Sequence, residues 1–183
     1  MRARAKANRQ ILVLSLAFQV TWPLTAYSQI TRTDCMGPPN ATQRLIYLHG
    51  LEEKAGLSQE EKENRRILDK LGKNLKIRIA LPQAELCKIG KRCWKAEDSD
   101  QSRKLIAAIA EASKGCWAEK KDYSLLGFCN CVYFAFKTFR WHNDPQLKRI
   151  VTGGSAGIWD PAKDRAQPWA ELHMMIGLKD MTR

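Results

Sequence analysis

The chain has 183 residues, of which 44% are apolar and 27% charged. That is one domain's worth of sequence, long enough to bury a core unaided, with the composition of a soluble globular protein. The net charge of +12 does not make it a nucleic-acid binder. Lysines and arginines are spread along the chain and mixed with acids, as between Glu52 and Lys76, and no basic block alternates with aromatics. A basic balance alone speaks to solubility and weak attraction to anionic surfaces.

The first ten residues hold Arg2, Arg4, Lys6 and Arg9 without an acid. Residues 11–20 are almost wholly apolar, and small residues follow at Ala26 and Ser28. A basic start, a short apolar run and a small-x-small end form the pattern of a secretory signal peptide. Residues 1–28 are therefore expected to be removed on export, with cleavage after Ser28 and Ala26 nearly as good a site. The apolar run is too short to span a bilayer comfortably. The mature chain is expected to be secreted or periplasmic, without stable membrane insertion, and residues 29–183 to form one domain.

Residues 29–42 are polar with two prolines and read as a lead-in. Residues 44–48 are a short apolar run ended by His49 and Gly50, which predicts a buried strand and a loop. Ser58, Gln59, Glu60 and Glu61 fit a capping box. The helix that follows is expected to bury Ile67, Leu68 and Leu71 and to end at Gly72. Residues 76–81 predict a second strand, stopped by Pro82, and residues 87–98 a loop. Ser99 or Asp100 is expected to cap a helix with the face Leu105, Ile106, Ile109 and Ala110. Residues 123–128 predict a third strand, 130–141 a helix rich in aromatics, 147–152 a fourth strand and 171–176 a fifth. Short apolar strands alternating with helices imply a largely parallel sheet covered on both faces. In such sheets the functional loops lie at the carboxyl ends of the strands.

Cysteines stand at 35, 87, 93, 116, 129 and 131. Export permits disulfides. The four outside the 129/131 pair allow three connectivities, and Cys87 with Cys93, closing a small loop, is the first expectation. Cys-x5-Cys and Cys-x-Cys are not the spacings of a structural zinc site, so no metal is expected. Cys129 and Cys131 stand where a strand runs into a helix. Cys129 reads as a nucleophile, with a buried inert thiol or a Cys-x-Cys redox pair as alternatives.

The segment 125–135 resembles the nucleophile elbow of α/β-hydrolases, G-x-S-x-G. Gly127 matches the first glycine, Cys129 takes the nucleophile position, and Cys131 stands where the second glycine belongs. The elbow is so tight that the nucleophile adopts a strained backbone and its neighbours must be small. A side chain at Cys131 therefore implies a widened or imperfect elbow. Leu48, His49 and Gly50 are similar to the family's oxyanion-hole segment, which implies Leu51 and Asn130 as N–H donors. Residues 174–180 are similar to the strand and turn that present the triad acid, which implies Asp180 in that role, with Asp160 as runner-up.

The resemblance spans about residues 44–180. It implies a three-layer αβα sandwich of α/β-hydrolase type with a mainly parallel sheet. It further implies a small-molecule or ester substrate, no cofactor, and attack by Cys129 through an acyl-enzyme. In the family the histidine follows the acid, yet Met181, Thr182 and Arg183 alone follow Asp180 here. The expectation is thus a domain lacking its C-terminal histidine-bearing element, with ester hydrolysis weak or lost. The alternative is a non-catalytic relic or binding protein on the same fold. His142 lies 13 residues beyond Cys129, roughly 20 Å along a helix. His173 is expected well below the catalytic edge, and His49 sits in a loop that the family uses for backbone donors.

Overall fold

The computed structural model describes residues 30–53, 56–87, 89–95, 98–117, 122–129, 131–141, 144–154 and 170–175. The expectations for residues 1–28, Asn130, His142, Asp160 and Asp180 lie outside the described residues.

The chain forms β1 (Ile30–Met36), β2 (Gln43–Leu48), β3 (Glu52–Glu53), α1 (Gln59–Leu75), β4 (Ile77–Ala84) and β5 (Lys91–Arg92). It continues with α2 (Ser99–Ser113), β6 (Tyr123–Phe128), α3 (Cys131–Trp141), β7 (Leu147–Gly153) and β8 (Glu171–Met175). Among the described residues six strands make one sheet in the order β1-β4-β2-β6-β7-β8. All neighbours are parallel except the edge strand β1, which runs antiparallel to β4.

Successive side chains of a strand point to opposite faces, and β2 shows both destinations. Ile46 and Leu48, with Leu125 and Ile150 of the neighbouring strands, pack against Leu105, Ile106 and Ile109 of α2 and Phe134 and Phe139 of α3. Leu45 and Tyr47, with Ile79 and Leu81, pack on the other face against Leu68 of α1. This is the three-layer sandwich that strand–helix alternation predicted. Crossovers between parallel strands are right-handed. From β2 to β4 the chain steps one way along the sheet, and from β4 through β6 to β7 it steps the other way. The same hand therefore puts α1 on one face and α2 and α3 on the other.

Several expectations need correction. Residues 30–36 are a strand, not a lead-in. Their polar side chains suit an edge, and main-chain pairing with β4 holds them. Pro82 lies inside β4 rather than stopping it. Pairing with β2 reaches only Ala80, so beyond it one side of β4 has no ladder for a proline to break. Ser58 does cap α1, accepting from the Glu61 N–H at 3.0 Å. The helix passes through Gly72, however, and ends at Leu75 with Lys76 in the left-handed region. Gly72 serves close approach. A Cβ there would stand 3.0 Å from the Ile77 carbonyl oxygen and 3.3 Å from the Gly37 Cα. The inner face of α1 is Glu61, Arg65, Leu68 and Gly72, while Ile67 and Leu71 are exposed. The cap of α2 is Asp98, which accepts from the Gln101 N–H at 2.8 Å. The short β3–β5 ribbon was not anticipated.

The disulfides are Cys87–Cys93 and Cys35–Cys116, while Cys129 and Cys131 are free. Gly37 has φ +75°, and an added Cβ would overlap the Ile77 carbonyl oxygen. Gly37→Ala is therefore expected to cost about 2 kcal/mol or more, combining backbone strain and collision. Urea unfolding checks this, and a change under about 0.5 kcal/mol, the level of an ordinary surface substitution, would contradict it.

Candidate active site

Strand β6 ends at Phe128, and α3 begins three residues later. Cys129, at the turn, has φ +54°, in the left-handed region that a side chain disfavours. Hydrogen bonds on both sides hold it there. Its N–H donates to the Gly153 carbonyl at 2.9 Å, and its carbonyl accepts from the Val132 N–H at 3.1 Å. The first turn of α3 folds back over Gly127, where a Cβ would lie 3.0 Å from the Ala135 Cβ and 3.1 Å from the Cys131 carbonyl oxygen. A bare position at 127 is thus a packing requirement, as the sequence pattern implied. Gly50 makes similar room, since a Cβ there would lie 3.1 Å from the Cys129 Cβ.

Cys131 is where the expectation of a widened elbow changes. Its side chain does not press on Gly127. It is buried, and its thiol donates to the His49 carbonyl. Burial pushes that thiol well above its ordinary pKa, so it stays protonated as a donor. The Trp94 indole N–H donates to the same carbonyl at 3.1 Å.

The loop after β2 is pinned from within. The buried His49 ring accepts the Ala84 N–H on Nε2 at 3.1 Å. A backbone N–H can only donate, so the ring proton sits on Nδ1, which faces the Gly50 carbonyl at 2.7 Å. Both nitrogens are committed, and His49 is a structural post rather than a base. Because a peptide unit is planar and trans, a Gly50 carbonyl turned toward the His49 ring sends the Leu51 N–H the other way.

Leu51, Gly50, Phe128 and Cys129 line a cavity of about 130 Å³, closed on the far side by Ser58, Glu60, Glu61 and Asn64 from the start of α1. A larger cavity, about 330 Å³, opens at the opposite, amino-terminal ends of β2 and β6. The smaller one is the cavity that Cys129 lines.

Sequence reasoning missed the α1 wall of this cavity and the polar cluster behind it. Glu61 accepts from the Tyr47 hydroxyl at 2.8 Å and from Arg65 Nε at 3.0 Å, and Asn64 donates to the Tyr47 hydroxyl at 3.3 Å. Burial raises the Glu61 pKa, opposed by its bonds to Tyr47 and Arg65. The legible signal was the helical spacing of positions 61, 65, 68 and 72. His173 is not brought to Cys129. It sits on β8, the last strand of the sheet among the described residues, opposite Val151 and bonds Glu171 at 3.2 Å. That is two strands from β6, roughly 10 Å away.

Burial lowers the His49 pKa from its ordinary 6.5, and Arg65 and Arg92 add to that, while Glu52 and the Gly50 carbonyl oppose it. A lowered folded-state value gives stability that is present above 6.5 and lost as the pH falls below it, because the unfolded chain then binds a proton that the folded one refuses. Glu61 acts in the opposite sense. Urea midpoints should fall between pH 7.5 and pH 5.5, and His49→Gln should flatten that slope. A wild-type midpoint that rises toward pH 5.5, or an unaltered slope in the variant, would contradict this account.

A mainly parallel sheet between helices, with a left-handed residue between β6 and α3, is the architecture that the resemblance to α/β-hydrolases implied. No protein-family model and no curated protein sequence matches the chain. Among solved structures it is similar to XC6422 from Xanthomonas campestris, described as an α/β serine hydrolase without lid, at 17% identity and a TM-score of 0.46. That match covers 78% of this chain and 65% of the other, so this chain spans less than two thirds of that protein's length. It is also similar to esterase PE8, at 14% identity and a TM-score of 0.46, covering 80% of this chain and 89% of that one.

Proposed function

We propose that this protein is an exported hydrolase-like protein that acts on small carboxylic esters through Cys129 and releases its acyl-enzyme slowly. The observation that carries the reading is Cys129 itself, a free thiol held at φ +54° between strand and helix, facing a cavity that Leu51 also lines. The thiolate sulfur attacks the ester carbonyl carbon, and the alkoxide departs as the C–O bond breaks. In this reading the Leu51 N–H meets the developing negative charge. Asn130 supplies the second N–H in this reading, and Asp180 keeps the role of the acid. Release is slow because neither described histidine can activate a water at Cys129.

The test is a burst assay on the mature chain with an activated ester. About one equivalent of product per chain, followed by much slower turnover, supports the reading. Absence of any burst would favour a non-catalytic binding protein on this fold, and sustained turnover at ordinary enzyme rates would show that a base does reach the thiol.

Two disulfides among the described residues suit an oxidising compartment, and among those residues no helix is long and apolar enough to cross a membrane. Export with cleavage near Gln29 is checked by N-terminal sequencing of protein recovered outside the cytoplasm. An intact Met1 would count against it.

A further inference from the structure

The loop carrying Leu51 rests on a buried ionic contact that the mechanism above does not use. Leu51 points outward, but His49 and Glu52 on either side each turn inward and are 1% exposed. The Glu52 carboxylate accepts from Gln83 Nε2 at 3.4 Å through Oε2. Its Oε1 makes no hydrogen bond among the described residues and faces Arg65 Nη2 at 3.8 Å and His49 Nδ1 at 3.9 Å. His49 is neutral, so Arg65 is the charge that compensates Glu52. The same guanidinium gives Nε to Glu61 and Nη1 to Asp34, each at 3.0 Å. One side chain therefore ties the Leu51 loop to helix α1 and edge strand β1. The planar, forked guanidinium can do this, and a point-charge ammonium cannot.

We propose that Arg65, acting through Glu52, is the positioning residue that sets the Leu51 N–H against Cys129. The proposal rests on the reading of Cys129 as nucleophile. The Gly50 carbonyl faces the His49 ring on one side of this N–H, and on the other the Glu52 carboxylate is paired with Arg65 at 3.8 Å while its backbone pairs with Arg92. Loss of the second anchor displaces the donor, and a displacement of about 1 Å is enough for a roughly 100-fold loss of rate.

The test compares two reactions of the same thiol. Acylation of Cys129 by an activated ester builds an oxyanion, whereas alkylation by iodoacetamide displaces iodide and builds none. In Glu52→Gln and Arg65→Lys, acylation is expected to fall about 10- to 100-fold while alkylation stays within about twofold, with the site of reaction read by peptide mass. An unchanged ratio of the two rates, or an equal fall in both, overturns the proposal. Should wild-type Cys129 alkylate but never acylate, the nucleophile reading fails and amide hydrogen exchange over residues 49–53 decides the anchoring. Faster exchange there in both variants sustains it, and unchanged exchange overturns it.

Discussion

Cys129→Ala should abolish the product burst and lower the initial rate of activated-ester cleavage by about 100-fold or more. A free cysteine is already a few per cent thiolate at neutral pH, so it can attack an activated ester without a base. Oxyanion donors can add up to roughly 10³–10⁴-fold. An alanine leaves the cavity and the Leu51 N–H in place but gives them no covalent intermediate to stabilise. Cys129→Ser is the sharper variant. A hydroxyl is almost wholly protonated at neutral pH and needs a base to attack, and His49 has both ring nitrogens committed elsewhere. The serine variant should therefore be nearly as inactive as the alanine variant. An active serine variant would mean that a base reaches position 129. An undiminished rate in Cys129→Ala would remove the elbow cysteine from the chemistry.

The largest effect on stability is expected from the Cys35–Cys116 disulfide, whose partners are 81 residues apart in sequence. A crosslink of that span removes enough loop entropy from the unfolded chain to stabilise the fold by about 4 kcal/mol, a large share of the roughly 5–15 kcal/mol of a whole domain. It also fastens a strand that pairs on one side only, with β4. β1 is an edge strand whose side chains are half-buried or exposed, and Cys116 ties it to the turn that ends α2. Cys87–Cys93 spans 6 residues, and the same entropy argument gives it about 2 kcal/mol. Replacing Cys35 and Cys116 together by alanine should lower the urea midpoint far more than replacing Cys87 and Cys93. Equal effects, or none from the 35–116 pair, would contradict this account. The oxidising compartment required is the one that export would provide.

What the sequence disclosed, and what it hid, follows from the range of the interactions. The run at 123–128 and the Gly127-x-Cys129 turn were legible because the pattern is local: an apolar strand, a bare position and a cysteine at fixed spacing. Leu51, which the resemblance implied as a loop donor, lines the cavity beside Cys129. β1 was not legible, because its support comes from β4 and from a cysteine 81 residues away. The face of α1 was misread because apolar Ile67 and Leu71 outweighed Glu61 and Arg65 in the reading. Those two charges are buried because they meet each other and Tyr47, Asp34 and Glu52, partners that no helical periodicity reveals. Cys131 read as a flaw because the pattern asks for glycine there, and only the fold shows the His49 carbonyl that receives its thiol. Asp180 and Asn130, proposed as the acid and the second N–H donor, lie outside the described residues.

The measurement that bears most directly on the nucleophile is the mass of the mature chain after brief reaction with an activated ester, followed by peptide mapping. The account predicts one acyl group per chain, on the peptide containing Cys129 and absent from Cys129→Ala. An acyl group on another residue, or none on a Cys129 that iodoacetamide still modifies, would contradict it.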